Sequence, residues 1–339
     1  MERNALIEHR GRIAPGRGRN VALDRQLELL KGTRLGPGEV LGTVPPQNGV
    51  LTVELVAVHA AMAGCEPGYM PVLIAALKAF LEPRSNWRGA LATTGTSQML
   101  VMVNGPIVKE LDIACGQGAA GKGHHANASI GYALNLIAYA VGGSRPPDVD
   151  KSTLGSPADY VCWVFGENEA RLPPGWTSLH VDRGFKRTDS VVTVMGTYPP
   201  VENIDHGGTA GEHLVWWKHL ISGLSNLGAP VLPILLKQSP LVAIGPEHAD
   251  LIAGSGWTKN DFRKAFWENT RIPLLAWPEG GRSESELAQC LGPVTRETLI
   301  PICEKSEQIQ IVVAGGDGKH SHYFGPFPGC FPVSRVIEV

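Results

Sequence analysis

From about residue 50 onward, short continuous apolar runs alternate with longer amphipathic segments, and this alternation constrains the fold more than any other feature of the chain. A brief apolar run bounded by turn residues suits a strand buried on both faces, and an apolar period of 3.6 residues suits a helix packed against it. The pattern predicts helices over 22–31, 53–63, 70–81, 127–140, 209–225, 247–254, 259–270 and 284–291. It predicts strands over 98–103, 159–165, 190–195, 231–236, 240–244 and 308–314. Thr209 with Glu212, and Thr258 with Asp261, have the spacing of capping boxes at two of the helix starts. Strands and helices in this order indicate an α/β fold. Two stretches, LVMVNGPIVKEL and LVAIGPEHADLI, both read as strand, Gly-Pro and departing segment. The expectation is two related α/β lobes with mainly parallel sheets and glycine-rich loops at a shared cleft. Residues 1–40 would form an N-terminal arm and helix, 41–195 the lobe carrying the main glycine loop, and 196–339 the second lobe.

Chemistry concentrates between Asn104 and Gly131, in NGPIVKELDIACGQGAAGKGHHANASIG. Glycines let backbone amides approach a ligand without a Cβ in the way, and a following helix points its free N–H groups at the same place. Gly116, Gly118 and Gly121 fit the spacing of a dinucleotide loop, and Gly116 to Lys122 that of a P-loop. Residue 123 is glycine, however, where a P-loop holds Ser or Thr. The stretch therefore reads as a cradle for a small anion, using Asn104, Gly116, Gly118, Gly121, Lys122 and Asn127, with Asn127 as helix N-cap. His124 and His125 are candidate proton carriers. Together with His180 they are the candidate ligands for a divalent metal, although no zinc-helix spacing occurs and no cofactor motif is evident.

Three further places carry reactive types. Cys65 lies where a small-residue helix stops and Pro67 and Pro71 start another. A thiol facing a helix N-terminus would have a lowered pKa, with Glu66 beside it as acid–base partner. Cys115, at the lip of the glycine loop, is the second thiol candidate, and Cys162 belongs to a strand core. The strand DYVCWVFGENEA delivers Glu167 and Glu169 at its end on one face, a pair suited to acid–base work, with Lys151 and Ser152 in the preceding polar turn. IVVAGGDGKHSHYF runs from a strand into glycines and then Lys319, His320 and Ser321, a second anion-binding candidate.

Net charge is −2, which argues against nucleic acid or an anionic membrane as partner. The arginine-rich run at residues 10–19 reads as a solvated arm. No apolar run is long enough to span a membrane, and the first 25 residues lack a signal-peptide core, so a cytoplasmic protein is expected. Six scattered cysteines without CxxC pairs are expected as free thiols, and paired tryptophans such as Trp216 and Trp217 suggest an oligomer.

AMAGCEPGYMPVL, MVNGPI, the GxGxxGxGxxANASIG stretch, DKSTLGSPADYVCWVFGENEA, GPEHADLIAGSGWTKNDFR and VVAGGDGKHS together resemble the large module of the UGSC-motif (seleno)protein family, over about residues 40–335. Members pair that module with a short segment in which selenocysteine or cysteine, Gly, Ser and Cys form a redox or nucleophilic centre. The present chain has no such segment. The resemblance implies an enzyme, or the substrate-binding subunit of one, performing thiol- or selenol-dependent reduction, elimination or group transfer on a small anionic organic substrate. The thiol would come from Cys65 or from a small cysteine- or selenocysteine-containing partner. Two alternatives are a metal-dependent hydrolase or lyase using a His/Glu site, and a non-catalytic ligand-binding or scaffold protein.

Overall fold

The structure is a computed structural model and describes residues 21–223, 236–276 and 284–338. The strand expected at 231–236 and the arginine run at 10–19 lie outside the described residues, apart from Leu236. The elements follow in chain order. They are α1 (Val21–Leu30), β1 (Val40–Val44), β2 (Gly49–Thr52), α2 (Val53–Met62), α3 (Met70–Phe80), β3 (Gln98–Asn104), α4 (His125–Ala140), β4 (Trp163–Gly166), β5 (Val191–Thr197) and β6 (Val201–Ile204). Then come α5 (Ala210–Gly223), β7 (Leu241–Ile244), α6 (Pro246–Gly254), α7 (Lys259–Asn269), β8 (Ile272–Pro273), α8 (Glu284–Leu291), β9 (Leu299–Ile300), β10 (Gln310–Val313), β11 (His320–Phe324) and β12 (Val333–Val336).

Two four-stranded sheets form the centre, ordered β4-β3-β5-β12 and β10-β7-β11-β6. The α/β class holds, but the expectation of mainly parallel sheets is corrected. In each sheet the first two strands pair parallel, β3 with β4 and β7 with β10, and the other two pairings are antiparallel. The parallel pairs are the ones joined through helices, as a parallel connection requires. Of the four strands in these two sheets that pair only antiparallel, β5 is apolar, and β6, β11 and β12 are polar or mixed strands (VENI, HSHYF, VSRV) whose composition does not announce them.

The two sheets also exchange strands. β6 follows β5 but pairs with β11, while β12 follows β11 but pairs with β5. At the crossing the chains bridge reciprocally, the Tyr198 N–H donating to the Gly325 carbonyl (2.8 Å) and the Phe327 N–H to the Gly196 carbonyl (2.9 Å). The exchange crosses the expected boundary at residue 195.

Side-chain alternation sorts the strands into four layers. Met99, Val101, Val103, Val164, Val192 and Val194 pack against α2, α3 and α4. Val242, Ile244, Ile311, Val313 and Tyr323 pack against α5, α6, α7 and α8. The opposite faces meet each other, with Leu100, Met102, Phe165 and Met195 against Leu241, Ala243, Val312 and Phe324. Every residue of β3 is buried, because both of its faces are covered. Caps fix the helix starts: Thr52 Oγ1 accepts from the Leu55 N–H at α2, and Thr258 and Asp261 form a reciprocal box at α7.

Candidate functional site

The C-terminal ends of β3 and β4 point the same way, and the crevice beyond them is where an open parallel pair collects ligands. A cavity of about 580 Å³ lies there. Gly105, Cys115, His124, Glu167, Asn168 and Glu169 line it, and Lys109 and Arg187 stand at its exposed rim. Neither cation is in an ion pair among the described residues. Gly105 has φ 88°, and a Cβ there would land on the Asp189 carbonyl, so only glycine lets β3 turn away beside β5.

Glu167 and Glu169 come together behind this cavity on one amide. Asn104 Nδ2 donates to Glu167 Oε2 (2.6 Å) and to Glu169 Oε1 (3.3 Å). Glu167 also accepts from the Leu179 N–H (2.7 Å) and the Val313 N–H (3.3 Å), and Glu169 from the Gly105 N–H (2.7 Å). Burial pushes the Glu167 carboxyl up to about 6 against the opposing pull of the Lys259 cation and these donors. His180 is buried with Nδ1 3.0 Å from Ser178 Oγ and 3.7 Å from Glu169 Oε1. Two buried atoms of this cluster, Asn104 Oδ1 and His180 Nε2, have no hydrogen-bond partner among the described residues. Unsatisfied buried groups are costly and call for a reason, and a working site is one.

Of the two candidate thiols, Cys115 is half-buried in the cavity wall. Burial pushes its pKa up, and the Glu169 carboxylate adds to the effect. Cys65 corrects the sequence reading. Gly64 adopts φ 77° and ends α2, and the Cys65 N–H donates back to the Ala60 carbonyl (2.9 Å). This 6→1 bond makes Cys65 the inward-packing residue of a helix C-terminus. Its side chain is fully buried in the apolar core, and burial pushes the thiol up to about 11 instead of lowering it. Glu66 is a surface residue paired with Arg25 (3.0 Å).

The glycine loop holds itself. The Ala119 N–H donates to the Gly116 carbonyl (3.0 Å) and the Gly121 N–H to the Gly118 carbonyl (2.7 Å), so these amides are already engaged. Asn127 is a clamp and not a ligand group. Its Oδ1 accepts from the Ala114 N–H, and its Nδ2 donates to the carbonyls of Ala114, Ala119 and Val164 at 2.8–3.1 Å. The helix N-cap is His124, since α4 begins at His125. His125 is exposed and contacts the Tyr69 hydroxyl through Nδ1 (3.3 Å). Lys122 is exposed and lines neither this cavity nor the one described next. Lys151 and Ser152 sit elsewhere. Backbone bonds tie Lys151 and Thr153 to Thr93 and Thr94, ahead of β3, about 20 Å from Asn104 along a seven-residue strand.

The second glycine turn, residues 314–318, follows β10 and meets the first. A Cβ at Gly316 would collide with the Gln117 side chain. A second cavity, of about 460 Å³, opens on its other side and also touches Gln117, Gly118 and Gly121. His320 and Ser321 belong to β11 and not to a turn, which corrects the second cradle. Lys319 Nζ donates to the Gly207 carbonyl (3.1 Å), and His320 Nδ1 meets Glu202 Oε1 (2.8 Å). Ser321 faces the helices, where its Oγ accepts from the Gly245 N–H (3.1 Å) and lies 2.8 Å from His248 Nδ1.

Ser321 thereby joins a buried cluster that the sequence reading did not assemble. Asp205, His213 and His248 are the one group of three metal-capable side chains close enough to share an ion among the described residues. His124, His125 and His180 form no such group. The hydrogen bonds, however, use up the donor set. Trp217 Nε1–H donates to His213 Nε2 (2.9 Å), which fixes the His213 proton on Nδ1, where it is given to Asp205 Oδ2. Asp205 also accepts from Asn203 Nδ2 (3.0 Å) and the Gly207 N–H (3.0 Å), and His248 Nε2 lies 3.4 Å from its carboxylate. Burial alone would raise the Asp205 pKa, but His213 and the other donors hold it below the usual range. Burial and the neighbouring His213 press His248 down to about 4. The cluster is a closed proton-ordered network, not a vacant ligand set.

Comparison with family models, with curated proteins and with solved structures gave no match. No helix among the described residues is long and apolar enough to cross a membrane.

Proposed function

We propose that the crevice beyond β3 and β4 is the substrate site of a thiol-dependent enzyme, or of the substrate-binding subunit of one, acting on a small anionic organic molecule. One observation carries this reading: a single cavity gathers the half-buried Cys115, His124 and the Glu167–Glu169 pair beneath Lys109 and Arg187, two cations in no ion pair among the described residues. The cations attract a carboxylate or similar group to the rim. Cys115 supplies the nucleophile inside, in place of the buried Cys65. Its proton passes to Glu169, the thiolate forms a bond to an electrophilic carbon, and the leaving group departs with the bonding electrons. Glu167, beneath Asn104, tunes and orients Glu169. The resemblance to UGSC-motif proteins supports the same class; the thiolate or selenolate of a small cysteine- or selenocysteine-bearing partner would then bond to the carbon as the Cys115–carbon bond breaks and Cys115 leaves as a thiolate. The two related lobes of the sequence reading are kept here as the proposed origin of the repeated strand pattern.

Chloroacetate tests the step directly, because it is a small carboxylate with a leaving group. Incubation with the purified chain should release one equivalent of chloride per chain. Release should persist in Cys65→Ser and vanish in Cys115→Ala. Release that follows Cys65 would overturn the proposal, and so would none from the wild-type chain.

A further inference from the structure

The cavity beyond β7 and β10 shares only Gln117 with the first and is otherwise lined by different residues. Trp163 and Phe165 of β4 pack against Phe324 of β11, and with His322 these rings form one aromatic wall of the cavity. The rings are mutually arranged, with Trp163 edge-on to Phe324 (centroids 5.8 Å apart, 77°) and His322 at 32° to Phe324 (6.3 Å). Trp163 is held by its Nε1–H bond to Gln98 Oε1 (2.5 Å). The floor is side-chain-poor, formed by Gly245 and the turn Ala314–Gly318. At Gly315, which has φ 98°, a Cβ would meet nothing within 4 Å. An aromatic wall beside a bare backbone floor offers a flat ring a face to stack on and room to lie against it.

Charge narrows the occupant. No Lys or Arg lines this cavity, and its two acids are Glu202 and Asp317. Asp317 is paired with Arg171 Nη1 (2.6 Å), and Glu202, which meets His320 Nδ1 (2.8 Å), is the other acid at the mouth. Burial lowers the pKa of His322, so it presents an uncharged ring. An anion finds no counter-charge here, whereas a ring that is neutral or positive gains stacking and cation–π attraction.

We infer that this second cavity is a binding site for a planar heteroaromatic compound, uncharged or cationic, stacked against the wall that Trp163 and His322 present over Phe324. The site stands independently of the thiol chemistry proposed for the first crevice, since none of these residues lies in it.

Isothermal titration of the full chain with N-methylquinolinium tests the inference, with 2-naphthoate as an anionic ring of similar size. The quinolinium should bind one per chain and at least tenfold more tightly than the naphthoate. Ala314→Leu fills the floor and should weaken quinolinium at least tenfold. Glu202→Gln, a change at the half-exposed mouth, should weaken it about threefold without affecting the fold, and thermal melting of both variants checks that they fold. The same titration in Cys115→Ala should give the wild-type affinity. Failure of quinolinium to bind, equal binding of naphthoate, or unchanged affinity in a folded Ala314→Leu chain would each overturn the site. None of these results bears on chloride release from chloroacetate.

Discussion

The polar clusters behind the two crevices sit at matching ends of matching strand pairs, yet one is open and the other closed. Behind β3 and β4, two carboxylates share one amide, and a buried amide oxygen and an imidazole nitrogen have no partner among the described residues. Behind β7 and β10, the Asp205 carboxylate collects donors from Asn203, Gly207 and His213, and both nitrogens of His213 are engaged. A satisfied buried network fixes a fold, whereas an unsatisfied one is retained at a cost to stability. The contrast assigns chemistry to the first region and scaffolding to the second, although the second contains the more familiar-looking Ser, His and Asp.

The sharpest way to break this contrast is to disturb each cluster by one atom type. Asp205→Asn must turn an amide N–H₂ toward either the Gly207 N–H or the His213 and Asn203 donors. Loss of about 3–5 kcal/mol in unfolding free energy is expected from chemical denaturation. Asn104→Ala deletes an orphaned oxygen together with two donated bonds, so the expected loss is about 1–2 kcal/mol. Equal losses would erase the distinction.

The pH dependence should also run in opposite directions. Glu167 has a raised pKa, about 6 against 4.5, so its contribution is fully present below pH 4.5 and lost as pH rises through 6. The size is about 2 kcal/mol. His248 is depressed from 6.5 to about 4, so its contribution is present above pH 6.5 and lost as pH falls through 4, to the extent of about 3 kcal/mol. Denaturation across pH 4–8 should therefore show Glu167→Gln flattening the loss on the rising side and His248→Asn flattening the loss on the falling side. A variant that leaves its own limb unchanged would show that the group does not titrate as its surroundings dictate.

Much of the frame was legible in the sequence because local periodicity encodes it. The eight described helices of eight residues or more fall within two residues of their expected bounds, α5 being described only to Gly223, whereas the short helices Trp87–Leu91, Ile107–Glu110 and Leu179–Asp182 were not expected. Strands β3, β5, β7 and β10 lie where apolar runs place them. The strand expected over 159–165 begins only at Trp163, after a turn at Pro157–Asp159. The short pairs β1–β2 and β8–β9 escaped, as did β6, β11 and β12, whose residues are polar or mixed and whose pairing depends on the exchange between sheets. The strand end at Glu167 and Glu169 was visible from alternation. Cys65 was misread because Gly64 was not taken as the left-handed end of α2, which turns the next side chain inward. Lys109 and Arg187 lie 78 positions apart, and no local pattern joins them to Cys115. His248 and Asp205 carried no spacing signal and meet only because β6 crosses to the second sheet.

On the proposed function, the first crevice holds an accessible thiol under an anion-attracting rim. Alkylation of the native chain at pH 9, mapped by mass spectrometry with iodoacetate and with iodoacetamide, tests it most directly. Cys115 should react at least tenfold faster than Cys65, Cys162, Cys303 and Cys330, all of which are buried. At Cys115 the anionic reagent should gain severalfold relative to iodoacetamide, and the gain should disappear when Lys109 and Arg187 are both changed to Ala. Faster modification of Cys65, or no effect of the two rim cations on the reagent preference, would contradict the account.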